Sequence, residues 1–155
     1  MDVGVIGVGT MGRNHVRVYS ELKSVDSVAV FDVDRKTAEE IGGRLGANVY
    51  GSVEELLIHV DAISICVPTQ LHAGIADKAF AARCAVLIEK PICATSDEAK
   101  ELVKKAPDGI TVGVGHIERF NPDCGGDQKD CRTTPVCRNE TVQPRFGPDE
   151  GQYCG

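Results

Sequence analysis

Three glycines near the start of the chain have the spacing of a phosphate-binding turn. Gly7, Gly9 and Gly12 directly follow the apolar run from Val3 to Ile6. In this pattern the first glycine permits a sharp turn, the second lets a pyrophosphate approach the backbone, and the third lets a helix pack close to the strand. The spacing therefore predicts a dinucleotide site. A glycine-rich turn that binds no ligand is the alternative.

An acidic residue at a second position supports the dinucleotide interpretation. The apolar run from Ser27 to Phe31 ends at Asp32, twenty residues after Gly12. At this spacing a carboxylate accepts hydrogen bonds from the ribose hydroxyls of the adenosine. A helix is expected to begin near Thr10, so that the backbone N–H groups around Thr10 and Met11 would face the phosphates.

The charge at this position favours NAD as the cofactor over NADP. A 2′-phosphate would meet the Asp32 carboxylate a few ångströms away, which costs on the order of a few kcal/mol. Arg35 could offset that repulsion by contacting the phosphate, but the neighbouring Asp34 weakens this alternative.

The helix predicted from Arg13 to Lys23 carries one histidine. Val16, Tyr19 and Leu22 recur at intervals of three and form the apolar stripe of this helix. We interpret His15 as a packing or capping residue, with a role near the phosphates as the alternative.

Short apolar runs alternate with helical patterns along most of the chain. The runs are continuous in their apolar character, which is typical of strands buried on both faces. The pattern predicts an α/β fold with a doubly wound parallel sheet of the Rossmann type, in the strand order 3-2-1-4-5-6. The predicted strands are Val3–Ile6, Val28–Phe31, Asn48–Tyr50, Asp61–Val67, Ala85–Ile88 and Ile110–Val114. Further helices are predicted from about Arg35 to Leu45 with Gly46 as the stop, after Ser52 as N-cap, from about Gln70 to Ala82, and from a cap at Thr95 or Ser96 through Lys105.

Polar residues and prolines follow the fourth and fifth predicted strands. Ligands of such sheets bind at the carboxyl ends of the strands. The residues from Pro68 to His72 follow strand four, and the residues from Glu89 to Pro91 follow strand five. They are therefore expected at the same edge of the sheet as the glycine turn and Asp32.

These motifs together resemble the Gfo/Idh/MocA family of nicotinamide-dependent sugar and inositol oxidoreductases. The similar segments are residues 7–15, residues 67–72 and the Glu89-Lys90-Pro91 tripeptide. Residues 115–122 resemble the family's link into a second domain, and they are similar to members of the UDP-N-acetylglucosamine 3-dehydrogenase type. The resemblance covers about residues 1–122.

The resemblance implies roles for particular residues. Lys90 matches the family lysine that contacts substrate and nicotinamide ribose and aids proton transfer at the hydroxyl being oxidised. Pro91 matches a proline that often follows a cis peptide bond. Three residues match the loop that lines the nicotinamide half of the cleft, and Glu89 and Pro91 are counted with them as cofactor-binding residues. The three are Pro68, Thr69 and His72. The implied substrate is a sugar, a nucleotide sugar or an inositol.

The last part of the chain departs from the family. Residues 123–155 are rich in cysteine, glycine and proline and show no helical or strand period. We expect an irregular, disordered tail in place of the family's second, substrate-binding domain, as in a truncated or frameshifted product. Turnover by the chain alone is therefore in doubt. A non-catalytic nucleotide-binding module, a sensor or an interaction domain, is the alternative function, and a zinc-binding tail is a weaker one.

Composition excludes several classes of partner. The formal net charge of −6 argues against nucleic acid and anionic membranes. No apolar stretch reaches the roughly 18 residues of a membrane span, and the start of the chain does not resemble a signal peptide. We therefore expect a cytoplasmic protein. The cysteines lack Cys-x-x-Cys spacing, so no metal site is predicted. An apolar surface left after the sixth strand would favour self-association into a homo-oligomer.

Overall fold

The computed structural model describes residues 1–116, which form a six-stranded sheet with helices on both faces. The strands are β1 (Asp2–Ile6), β2 (Ser27–Phe31), β3 (Asn48–Val49), β4 (Ala62–Ile65), β5 (Ala85–Ile88) and β6 (Val112–Val114). The helices are α1 (Thr10–Glu21), α2 (Arg35–Leu45), α3 (Val53–Leu57), α4 (His72–Ala81) and α5 (Ser96–Lys105), with a 3₁₀ turn at Thr69–Leu71.

All neighbouring strands run parallel, in the order β3-β2-β1-β4-β5-β6. The predicted fold class and strand order are therefore confirmed. The register aligns the last residues of the central strands in one row. Ile6 pairs with Phe31 on one side and with Ile65 on the other, and Ile65 pairs with Ile88. The residues that follow these four strands consequently emerge at the same height on the sheet.

Each face of the sheet has its own hydrophobic layer. On one face, α1 and α2 cover the sheet through Val16, Ala38 and Ile41, which pack against residues such as Val5 and Val30. On the other face, the layer comprises the buried residues of α3, α4 and α5 and the facing strand residues. Among its members are Leu56, Phe80, Leu102, Ile63, Ile65 and Ile88. Burial on both faces explains why the strands read as continuous apolar runs.

Local hydrogen bonds and one glycine define several of the predicted helix ends. The Ser52 hydroxyl accepts from the Glu55 N–H at 3.1 Å, and the Thr95 hydroxyl accepts from the Glu98 N–H at 3.2 Å, as N-caps do. Gly46 ends α2 with φ of +72°, a left-handed conformation that glycine adopts without strain. These boundaries agree with the sequence predictions.

Other boundaries differ from the sequence predictions by a few residues. β4 ends at Ile65 where Val67 was predicted, and β6 begins at Val112 where Ile110 was predicted. The predicted helix from Gln70 is a 3₁₀ turn followed by α4, because the Leu71 N–H donates to the Pro68 carbonyl three residues back at 2.9 Å.

Several predictions concern residues outside this part of the chain. The second-domain link over residues 115–122, except for its first two residues, and the irregular tail over residues 123–155 lie beyond the described residues. None of the helices within residues 1–116 combines the length and apolar character that crossing a bilayer requires.

The burial of the core predicts that substitutions at two neighbouring apolar residues differ in their effect on stability. Leu56 is fully buried, whereas Ile58 is 80% exposed. We expect Leu56→Ala to lower the free energy of unfolding by about 2–5 kcal/mol, because it leaves a cavity in the packed layer. Ile58→Ala is the matched control and should change it by less than about 0.5 kcal/mol. Urea unfolding of the full chain measures both, and equal losses would contradict this assignment of the core.

Candidate functional site

The row of strand ends brings the predicted site residues to one edge of the sheet. Because Phe31, Ile6, Ile65 and Ile88 pair across the sheet, the next residues of each strand emerge side by side. In order across the sheet these are Asp32, Gly7, Cys66 and Glu89. The carboxyl edge of a parallel sheet is where such folds bind their ligands.

The glycine turn has the close contacts that its spacing predicts. Gly7 has φ of +86°, and its N–H donates to the Phe31 carbonyl at 2.8 Å. A Cβ built on Gly12 would overlap the Gly7 carbonyl oxygen, so only glycine lets α1 lie this close to the turn. A Cβ built on Gly9 meets nothing within 4 Å, which leaves open space at the residue expected to face a pyrophosphate.

The start of α1 offers unpaired backbone donors to that space. Gly9 is the N-cap, and within the described residues neither a capping side chain nor an acidic residue of the first turn accepts from the helix N–H groups. Thr10 and Met11 are both exposed. Free N–H groups and the positive end of the helix dipole together attract an anion such as a phosphate.

Asp32 is held by the backbone around it. One carboxylate oxygen accepts from the Val8 N–H at 2.7 Å, and the other accepts from the Asp34 N–H at 2.9 Å. These bonds fix the carboxylate between the glycine turn and the start of α2. Each oxygen keeps a second lone pair for a ligand hydroxyl. Arg35, the residue considered for NADP, makes an ion pair with Glu39 at 2.7 Å.

A shallow groove opens beside Asp32. Its volume is about 240 Å³, and its lining includes Val33, Arg35, Ala38, Tyr50 and Gly51. Val33 is 91% exposed, which places an apolar side chain next to the carboxylate on the open side of the groove. An aliphatic surface beside a carboxylate suits a flat, apolar ring such as adenine.

The loop after β4 divides into an outer and an inner part. Pro68 is exposed and Thr69 is half-buried, so both can face a ligand. His72 is only 1% exposed, and its ring lies among backbone carbonyls. Nε2 lies 2.8 Å from the Val67 oxygen, and Nδ1 lies 3.1 Å from the Pro91 oxygen. In this structure His72 therefore joins the β4 loop to the β5 loop, and its direct contact with a cofactor stays a prediction.

Glu89 and Lys90 differ in their surroundings although they are adjacent. Glu89 is 8% exposed, and Lys90 is exposed at the edge of the sheet. One Glu89 oxygen lies 2.9 Å from His15 Nε2, and the other accepts from the Lys90 N–H at 3.2 Å. The Lys90–Pro91 peptide bond is cis, as the family resemblance implies.

A partly buried chain of polar side chains continues from Glu89 into the sheet. His15 Nδ1 lies 3.1 Å from Ser64 Oγ, and the Tyr19 hydroxyl lies 2.6 Å from the same oxygen. Burial raises the pKa of Tyr19, and the Glu89 charge adds to this effect. The sequence analysis did not predict these contacts. His15 and Tyr19 are four residues apart on α1, so their shared helix face was the available signal.

Cys66, at the end of β4, is half-buried within the row of strand ends. Burial first, and then the negative charge of Glu89, raise the pKa of its thiol to about 12. The thiolate, which is the nucleophilic form, is therefore a very small fraction of the population at neutral pH. Cys66 therefore does not suit a role as a nucleophile.

Residues 1–116 match the family model GFO_IDH_MocA, described as an oxidoreductase family with an NAD-binding Rossmann fold. The chain belongs to this family. The predicted family and the predicted cofactor, NAD, are thus confirmed.

Similar Gfo/Idh/MocA proteins include enzymes of known specificity. UDP-N-acetylglucosamine 3-dehydrogenase of Acidithiobacillus ferrooxidans is 37% identical over 123 residues, which are 79% of this chain and 39% of that enzyme. Its crystal structure matches with a TM-score of 0.74 at 35% identity, covering 85% of this chain and 42% of that one.

A second Gfo/Idh/MocA structure carries ligands. It is myo-inositol dehydrogenase from Lactobacillus casei in complex with NAD(H) and myo-inositol. It matches with a TM-score of 0.73 at 30% identity, over 79% of this chain and 38% of that chain. The chain thus spans about 40% of the length of the relatives that it matches.

The glycine turn yields a prediction about NADH binding. We expect Gly9→Ala to fold normally and to bind NADH at least about tenfold more weakly, or ~1.4 kcal/mol. The added methyl would occupy the open space that the pyrophosphate is expected to approach. Gly43→Ala, on α2 and also open around its Cβ, is the matched control. Fluorescence titration measures both affinities, and an unchanged affinity for Gly9→Ala would place the pyrophosphate elsewhere.

The pKa of Cys66 predicts its reactivity with pH. The neutral thiol dominates below a pKa of about 12, so alkylation should be slow at pH 8 and should still be rising above pH 10. Iodoacetamide labelling of the folded chain, quantified on the Cys66 peptide by mass spectrometry, measures this profile. A rate that levels off near pH 9 would show an ordinary, unburied thiol.

Proposed function

We propose that the chain is the cofactor-binding part of a dehydrogenase that oxidises a secondary alcohol of a sugar, nucleotide sugar or inositol. NAD would accept the hydride from the carbinol carbon. The products are the ketone, NADH and the proton that leaves the hydroxyl. The support is the membership of the family and the dehydrogenase relatives, which span more residues than this chain.

The observation that carries the proposal is the position of Lys90 on the row of strand ends. Its neighbour Glu89 stands two strands from Gly7 and three from Asp32. Lys90 is exposed there, on a backbone that a buried carboxylate holds. A lysine presented beside a dinucleotide-binding turn is suited to act at the nicotinamide end of the cofactor.

The remaining residues fit the successive parts of NAD. The free N–H groups at the start of α1 would hold the pyrophosphate, and Asp32 would accept from the adenosine ribose. Val33 would contact the adenine ring. Pro68 and Thr69 would line the nicotinamide side of the cleft. The buried His72 ring would hold their loop through the Val67 carbonyl.

Lys90 would act on the hydroxyl proton. Loss of hydride makes the carbinol carbon a carbonyl carbon, so the hydroxyl proton must leave in the same reaction. We assign its transfer to the Lys90 Nζ, since an amine next to the hydroxyl provides general base catalysis. Glu89 is buried next to the lysine. We therefore assign it the role of holding the backbone after β5, through its hydrogen bond from the Lys90 N–H.

Two finer points belong to the same proposal. We propose a cytoplasmic location, because Cys66, Cys84 and Cys93 are all free thiols among the described residues, as in reducing compartments. Self-association into a homo-oligomer also stays a prediction. The non-catalytic nucleotide-binding module is the less favoured function, because the named relatives are dehydrogenases.

The test separates binding from chemistry. We expect the full chain to bind NADH more tightly than NADPH, and any reduction of NAD by the chain with myo-inositol or UDP-N-acetylglucosamine to depend on Lys90. Lys90→Met should leave the NADH affinity within about threefold and lower the turnover by about 10²–10⁴-fold, the usual contribution of a general base. Lys104→Met, on the exposed face of α5, is the control and should change neither quantity.

Two outcomes would count against the proposal. NADH binding without oxidation of any sugar, nucleotide sugar or inositol would favour the non-catalytic module. Tighter binding of NADPH would overturn the assignment of Asp32.

A further inference from the structure

A chain of four polar side chains, of which two are buried and two are half-buried, connects α1 to the Glu89–Lys90 loop. It comprises Tyr19, Ser64, His15 and Glu89, and we refer to it as the Tyr19–Glu89 chain. Its successive distances are 2.6 Å, 3.1 Å and 2.9 Å. Among the described residues, no buried side-chain nitrogen or oxygen lacks a hydrogen-bond partner, so these four groups satisfy one another.

The chemistry of the groups sets the direction of these hydrogen bonds. An ionised carboxylate only accepts, so His15 Nε2 must donate to Glu89. In the neutral ring Nδ1 is then the acceptor, and the Ser64 hydroxyl donates to it. The Tyr19 hydroxyl donates to Ser64 in turn. Tyr19 stays protonated at neutral pH because burial raises its pKa.

Among the described residues, no basic side chain other than His15 is paired with the Glu89 carboxylate. The Nε2 nitrogen of His15 lies within hydrogen-bond distance of that carboxylate. The Cys66 thiol beside it is held neutral, and a Cβ built on Gly115 would lie 3.0 Å from the oxygen that faces His15. The carboxylate is thus enclosed between α1, β4 and the start of the segment after β6. A buried carboxylate without a partner is costly, so His15 decides where this carboxylate lies.

The second oxygen of Glu89 links the position of the carboxylate to the backbone of Lys90. It accepts from the Lys90 N–H at 3.2 Å, while the first oxygen binds His15. We propose that His15 is a positioning residue for Lys90, acting through Glu89 with its proton on Nε2 and its ring oriented by Ser64. This inference rests on the proposed function, since it assumes that Lys90 serves the nicotinamide end of the cofactor.

The arrangement also relates cofactor binding to the lysine. His15 lies on α1 one turn after the N–H groups expected to hold the pyrophosphate. A single rigid helix therefore carries both the anion-binding end and the group that fixes Glu89. Positioning from a regular element gives a more reproducible geometry than positioning from a loop.

The experiment uses a probe that reacts fastest with a lysine near a bound ribose. Periodate-oxidised NAD carries ribose dialdehydes, which form imines with adjacent amines that borohydride then traps. We measure the rate of labelling of Lys90 in the full chain by peptide mass spectrometry, together with the affinity for NADH. In the unchanged protein Lys90 should be labelled, and excess NADH should prevent it.

Two substitutions at one position separate positioning from folding. His15→Leu removes the donor to Glu89 and should slow Lys90 labelling by about tenfold or more, since misplacement by about 1 Å costs up to 10²-fold in rate. His15→Gln keeps an amide donor near the Nε2 position and should restore most of the rate. Arg17→Gln, on the exposed side of the same helix, is the control.

The outcomes distinguish the inference from the proposed function. If Lys90 of the unchanged protein is not labelled, the proposed function fails. If it is labelled equally in His15→Leu and in the unchanged protein, only the positioning role fails. Should His15→Leu not fold, Ser64→Ala keeps both His15 and Glu89 and should still slow labelling, and an unchanged rate there would overturn the proposal.

A spectrum of the histidine rings gives an independent readout. The chain has four histidines, so His15→Gln identifies the His15 signals in a long-range ¹H–¹⁵N spectrum. We expect the proton of the neutral ring on Nε2, with Nδ1 as an acceptor. A proton on Nδ1 would overturn the assigned direction of the Tyr19–Glu89 chain.

Discussion

The close packing of α1 on the glycine turn is the contact on which the site depends. No side chain fits between Gly12 and the Gly7 carbonyl, so the helix axis lies as near to β1 as the backbones allow. At this distance a side chain one turn further along α1 reaches past the neighbouring strand. His15 consequently contacts Ser64 on β4 and Glu89 at the end of β5. A bulkier residue at position 12 would move α1 outward and separate both contacts.

The register of the sheet also determines where the site residues lie relative to one another. Ile6, Phe31, Ile65 and Ile88 form one row, so Asp32 and Glu89 leave the sheet at equal height although 57 residues separate them in the chain. Hydrophobic layers on both faces hold that register, because a slip by one residue would turn each strand's side chains to the opposite face. The stability of the core and the alignment of the site thus have the same origin.

Much of this fold follows from rules that act over a few residues. Apolar runs, glycine spacing and the caps at Ser52 and Thr95 predict the elements, and right-handed crossovers restrict their order. Contacts between distant residues are harder to predict. His72 follows a proline in a loop that resembles part of a cleft, yet its ring turns inward to the carbonyls of Val67 and Pro91, 24 residues apart. His15 likewise finds its partners 49 and 74 residues away, and no local pattern specifies them.

A largely buried polar contact such as that of His15 and Glu89 is weak evidence for stability, since apolar residues of similar volume often stabilise a core equally well. What this contact contributes is a defined orientation of the Glu89 carboxylate. An apolar contact would allow the Lys90 backbone several positions, whereas a carboxylate with one oxygen on His15 and the other on the Lys90 N–H accepts only one. Lys90 is exposed and its side chain is long, so its own packing cannot locate the amine. On the role that we propose for Lys90, the orientation of its backbone therefore comes from the buried residue before it.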